Sequence, residues 1–139
     1  LVCICPPSHP LARNPSIGVQ DLLPHRLIGY PHDTPFGKRI EDLFAAHDEA
    51  PRIAMEVGSP QNACALVHVG AGIAVVDEFS LQAWRDARFK VLPLDKAPLI
   101  VADLVYLRTE PLSPAAQAFI RALRSILIQR ELAVPFTED

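Results

Sequence analysis

Ile53-Ala54-Met55-Glu56-Val57-Gly58-Ser59-Pro60-Gln61-Asn62-Ala63-Cys64-Ala65-Leu66-Val67-His68-Val69-Gly70-Ala71-Gly72-Ile73-Ala74-Val75-Val76-Asp77 is the stretch that decides the fold class. Ile53–Val57 predicts a short strand. Ser59-Pro60 is a helix start, because a serine hydroxyl can accept from a first-turn N–H and proline suits the first helical position. Ala63, Leu66 and Val67 then share one helical face. Gly70 is suited to close the helix, since glycine takes the left-handed conformation that helix ends use. Ile73-Ala74-Val75-Val76 is apolar at every position, as a strand covered on both faces must be, and predicts a central strand.

The same pattern extends outward. Leu1–Cys5 reads as a buried strand, ended by Pro6-Pro7-Ser8-His9-Pro10, because proline cannot donate to a ladder. Ile17–Leu23 is a short amphipathic turn or helix, and Leu27–Tyr30 a second strand. Thr34-Pro35 opens a helix that places Phe36, Ile40, Leu43, Phe44 and His47 on one face, with Lys38, Arg39, Glu41 and Asp42 opposite. Phe79–Trp84 is a helical turn. Phe89–Leu94 and Ile100–Leu107 are the last predicted strands. Ser113-Pro114 starts a final helix with Phe119, Ile120, Leu123, Ile126 and Leu127 along one side. Strands alternating with helices predict an α/β domain, a mostly parallel sheet flanked by helices.

Composition narrows function by exclusion. Half of the 139 residues are hydrophobic and 21% are charged, as in a globular domain. No apolar run approaches the roughly 18 residues of a membrane helix, and no secretion signal is legible, so the cytoplasm is the expected compartment and no membrane partner is expected. Thirteen basic against 16 acidic residues give a net charge of −3, with no basic cluster of the kind a phosphate backbone requires. The apolar opening without Met points to a start inside a longer protein. Cys3, Cys5 and Cys64 are an odd set, best read as buried reduced thiols. His9, His25, His32, His47 and His68 never fall four apart on a predicted helix, so no metal site is expected. No G-x-G-x-x-G follows a strand, and there is no P-loop or nucleophile elbow. Neither a catalytic residue nor a cofactor is assigned.

Thr34-Pro35 and Ser59-Pro60 each follow a strand and start a helix. In a parallel sheet both helix N-termini emerge at the carboxyl edge, where ligands bind. Their unsatisfied N–H groups and partial positive charge suit a small carboxylate. Asp77 follows a strand too and could offer a negative group at the same edge, so an amino-acid-like ligand would fit. The plainer reading is that Thr34 and Ser59 are good caps, and that Asp77 or Glu78 caps the turn after it.

Ser8-His9-Pro10-Leu11-Ala12 after an apolar strand, Asp21-Leu22 followed by Leu27-Ile28-Gly29-Tyr30, and Ala65–Asp77 together resemble, in order and distance, the effector-binding domain of LysR-type transcriptional regulators. Asp77-Glu78-Phe79 stands where the family usually has proline. With Asp33–Gly37 and Asn62–Val67, it looks like the subgroup of LysR itself and the opine-responsive regulators, which sense amino acids or their derivatives. The resemblance implies a Rossmann-like lobe of a type 2 periplasmic-binding-protein-like domain, with effector in a cleft between two lobes. Residues 1–101 would form the second lobe. Residues 102–139 would supply the return strand and C-terminal helix of the first, the rest of which would be absent together with a winged helix-turn-helix. DNA would be contacted only through that absent part. The apolar face of the last helix is expected to pack on a second copy, on absent chain or on the lobe in a non-family position, and a homo-oligomer is the expected assembly. Asp33, Thr34, Phe36, Ser59, Asn62, Asp77 and Glu78 are the candidate lining residues: Thr34 and Ser59 as donors, Asp77 or Asp33 facing a cationic group, Phe36 as a wall. A transporter's amino-acid-binding protein shares the architecture and is the alternative. An enzyme on the same scaffold, such as a dehydratase or deaminase, is a third reading; it would need acid–base residues in the cleft, and turnover of a bound amino acid would reveal it.

Overall fold

Five strands form one sheet in the order β3-β2-β4-β1-β5: β1 (Val2–Cys5), β2 (Leu27–Gly29), β3 (Ile53–Glu56), β4 (Ile73–Val76) and β5 (Lys90–Pro93). The computed structural model describes residues 1–101, 103–107 and 109–129. Among the described residues four α-helices accompany the strands: α1 (Val19–Leu22), α2 (Pro35–Ala45), α3 (Pro60–His68) and α4 (Pro114–Gln129). Two 3-10 turns lie at Pro10–Arg13 and Ser80–Ala83. The chain divides into two compact units, Leu1–Val101 and Ala102–Asp139.

The sheet is mixed. β2 pairs in parallel with both β3 and β4, as the βα alternation predicts. β1 lies antiparallel to β4 and to β5, so parallel pairing is confined to one half. β4 joins the halves. It is buried at all four positions and sits third in the order, the central place its unbroken apolar run requires. β1 is buried throughout as well, whereas the edge strand β3 is largely exposed.

The helices begin and end where local chemistry dictates. Thr34 Oγ1 accepts from Gly37 N at 3.0 Å and Ser59 Oγ from Asn62 N at 3.3 Å. α3 closes through Gly70 at φ +83°, where Gly70 N reaches Val67 O and Ala71 N reaches Leu66 O, each at 2.9 Å. That bond pair satisfies carbonyls the helix leaves open, and glycine adopts its backbone without strain. α2 buries Ile40, Leu43 and Phe44 and exposes Lys38, Arg39, Glu41 and Asp42, as its period requires. Phe44, Ile4, Ile17, Leu22, Leu27, Ile28 and Ile73 are among the largest fully buried side chains. All three cysteines are free and buried.

The strand expected over Ile100–Leu107 is not formed: its described residues carry no regular structure, and Ala102 lies outside them. The apolar pattern is present, but a strand also needs a neighbour for its N–H and C=O groups. No ladder to it exists among the described residues. The final helix forms as predicted, yet none of its described residues is buried, and Phe119 is 60% exposed. The tail expected to fray after Leu132 lies outside the described residues. No described helix is long and apolar enough to cross a membrane.

Two measurements test this packing. Phe44→Ala should cost about 3–5 kcal/mol in urea unfolding, the range for emptying a full aromatic site. The second concerns His9, whose Nδ1 accepts from Leu11 N at 3.3 Å and caps the first 3-10 turn. Burial, and then the nearby His25, push its pKa below 6.5. A base depressed in the folded state contributes fully above its unfolded pKa and loses that contribution as pH falls through it. The stability advantage of wild type over His9→Asn should therefore shrink as pH drops below about 6.5.

Candidate functional site

The parallel order β3-β2-β4 brings three strand ends to one edge of the sheet. The segments after β2, β3 and β4 carry Asp33–Phe36, Ser59–Asn62 and Asp77–Glu78 respectively. All seven sequence-predicted residues thus lie on loops or first helical turns of the same edge. Asp33, Asn62 and Glu78 are exposed, and Thr34, Phe36, Ser59 and Asp77 are half-buried.

Hydrogen bonding divides these residues by what each can still offer. Thr34 Oγ1 donates to Pro31 O at 2.7 Å while accepting from Gly37 N, so its proton is already committed inside the turn. Ser59 Oγ only accepts, from Asn62 N, which leaves its hydroxyl hydrogen able to donate. Proline fills the first position of α2 and α3, and the caps satisfy the third. Helix geometry therefore leaves the second N–H, of Phe36 and of Gln61, without an intrahelical acceptor. These backbone groups, more than the Thr34 hydroxyl, are the natural anion donors of the edge.

Asp77 is the half-buried charge among the seven. Its Oδ1 accepts from Ser80 N at 2.8 Å and its Oδ2 from Ser80 Oγ at 2.7 Å, so it also orders the turn after β4, as the capping reading holds. Behind it lie Tyr30 and Cys64. Tyr30 donates to Val75 O at 2.9 Å, tying the end of β2 to β4, and Phe36 stacks edge-on against its ring at 4.7 Å. Burial, then the neighbouring Cys64 and Asp77, raise the Tyr30 pKa. Burial and then Asp77 push the Cys64 thiol up to about 11, against the pull of a backbone hydrogen bond. Both groups stay protonated, so the layer beneath the edge is neutral and supplies no thiolate nucleophile. Among the described residues no group of three or more His, Cys, Asp and Glu stands together as a metal would need.

Gln61 is the residue that sequence reading missed. Its Nε2 donates to Ser80 O at 3.1 Å, and its Oε1 accepts from Trp84 Nε1 at 2.9 Å. It fastens the start of α3 to the turn that Asp77 orders. Nothing in its sequence spacing signals this, because its partners follow β4 and reach it only through the fold.

Comparison with known proteins gives a consistent set. The model of the LysR substrate binding domain matches residues 1–127. The transcriptional activator protein LysR of Escherichia coli K12 is 27% identical over 118 residues, which is 85% of this chain and 38% of that protein. Among solved structures, the effector-binding domain of QuiR in complex with shikimate is 27% identical with a TM-score of 0.64, covering 89% of this chain and 59% of that one. The BenM effector-binding domain with its effector benzoate is 22% identical, a likeness of fold, with a TM-score of 0.69 over 99% of this chain and 64% of that one. The chain thus spans less than two thirds of the length of each of these relatives.

The geometry of the edge depends on Gly37. A Cβ there would run into the Pro31 carbonyl oxygen and stand 2.9 Å from Thr34 Oγ1. Gly37→Ala should cost about 1–3 kcal/mol in urea unfolding, as overpacking does. By contrast, Lys38→Ala, on the exposed face, should stay within about 0.5 kcal/mol.

Proposed function

The chain belongs to the LysR substrate binding domain family, and from that premise we propose that it is the effector-sensing part of a LysR-type transcriptional regulator, taking an amino acid or a derivative. The observation that carries the reading is the single edge on which two capped helix starts flank one half-buried carboxylate. A ligand carboxylate is held by the N–H groups of Phe36 and Gln61 with the Ser59 hydroxyl. A ligand ammonium faces Asp77. Phe36, braced on Tyr30, walls the site, and Asp33, Thr34, Asn62 and Glu78 complete its rim. The carboxylate half has support from two relatives: shikimate and benzoate, the ligands of QuiR and BenM, are both carboxylates. The ammonium half rests on Asp77 alone.

In this reading residues 1–101 are the second lobe of the effector-binding domain and 102–139 the segment returning to the first. Binding changes the angle between lobes, and a helix-turn-helix outside this chain reads the change as altered DNA binding in the cytoplasm. The apolar side of α4, exposed at Phe119 and Ile126, supports a homo-oligomer. The domain carries out no catalysis.

Thermal-shift titration with lysine, arginine and octopine, set against benzoate and shikimate, tests the proposal. At 100 times its Kd a true ligand contributes about 2.7 kcal/mol, a rise of several degrees. The amphoteric compounds should raise the midpoint of the wild type more than the plain carboxylates do. Asp77→Ala should erase that preference and Ser59→Ala should weaken every ligand. Wild-type affinity in both variants would sink the site assignment, and a preference for plain carboxylates untouched by Asp77→Ala would remove the amino-acid reading.

A further inference from the structure

A concave site lies on the edge of the sheet opposite the ends of β2 and β4 that carry Asp33–Phe36 and Asp77–Glu78, about four strand residues, or roughly 13 Å, away. There the chain leaves β1 and enters β2 and β4. The pocket has a volume of about 380 Å³ and is lined by Ser8 and His9 after β1, His25 and Arg26 before β2, and Gly70 and Gly72 before β4. We propose that it binds a small inorganic oxyanion, with phosphate as the type, independently of the effector reading.

Charge is the first ground. Three of its side chains are cationic or become so on protonation, and no carboxylate is among its lining residues. The rings of His9 and His25 meet edge-to-face with centroids 4.6 Å apart. Burial, and then the neighbouring His25, hold the His9 pKa down, and a bound anion would favour its protonated form. Hydrogen-bond roles are the second ground. His9 Nδ1 accepts from Leu11 N, which fixes the neutral ring's proton on Nε2 and gives it one donor to offer. Arg26 adds a planar fork of donors suited to oxyanions, and the Ser8 hydroxyl adds another. Shape is the third. The turn into β4 is Gly70-Ala71-Gly72, and a Cβ built on Gly70 meets nothing within 4 Å, so no side chain fills that flank. The volume holds several waters, and hence a phosphate with part of its hydration shell.

The test follows the imidazole C–H signals of the five histidines by proton NMR across pH, in chloride and in phosphate at matched ionic strength. Single His→Gln variants assign the signals. Phosphate should raise the apparent pKa of His9 and His25 and leave His32, His47 and His68 where chloride puts them. His25→Gln combined with Arg26→Gln should weaken phosphate binding by about tenfold or more, because each contact is charge-assisted. Both positions are partly or fully exposed, and an unchanged melting midpoint in chloride checks that the double variant is folded. Equal shifts at all five histidines, no shift at His9 and His25, or phosphate affinity unchanged in the folded double variant would each overturn the proposal. A double variant that melts early hands the decision to Arg26→Gln alone, which must still weaken phosphate binding.

Discussion

Parallel pairing of β2 with both β3 and β4 is the constraint on which the rest depends. Strands that run the same way in one sheet must end on the same edge, and each then hands the chain to a helix or turn. The starts of α2, α3 and the Ser80–Ala83 turn are placed together by that alone. β4 makes the arrangement stable, since it is buried at every position and paired on both sides. Its apolar run buries four side chains, each removing area worth about 25 cal/mol per Å² from water.

Caps serve two purposes at the edge, and the two compete. Thr34 gives its proton to Pro31 and its lone pair to Gly37, so it shapes α2 and keeps little for a ligand. Asp77 spends one lone pair of each oxygen on Ser80 and keeps the others. Ser59 keeps its hydrogen. A cap that satisfies the third N–H and a proline that removes the first leave a single backbone donor per helix. The proposed site therefore draws more on the backbone of Phe36 and Gln61 than on the hydroxyls that mark the helix starts. Gln61 joins the parts, holding α3 to the turn ordered by Asp77.

What could be read from the sequence divides by range. Helix starts at Thr34 and Ser59, the closure at Gly70 and the central place of Ile73–Val76 were legible, because each follows from neighbours within a few residues. The orientation of β1 was not, since the same buried run serves an antiparallel ladder as well as a parallel one. Ile100–Leu107 misled because an apolar pattern states what a strand would bury, while its existence depends on a partner. At the site, the residue types and their shared edge were legible, but how Thr34 and Asp77 spend their hydrogen bonds was not. Gln61 with Trp84, and His9 with His25, are brought together only by the fold, so no spacing rule could find them.

Backbone amide NMR, titrating the compound that stabilises the protein most, reads directly whether ligand binds at the carboxyl edge through the first turns of α2 and α3. Binding there should give saturable shifts concentrated at Phe36, Gly37, Gln61, Asn62 and Asp77–Ser80, with the strand interiors quiet. Saturable shifts elsewhere, with Phe36 and Gln61 unmoved, would contradict it.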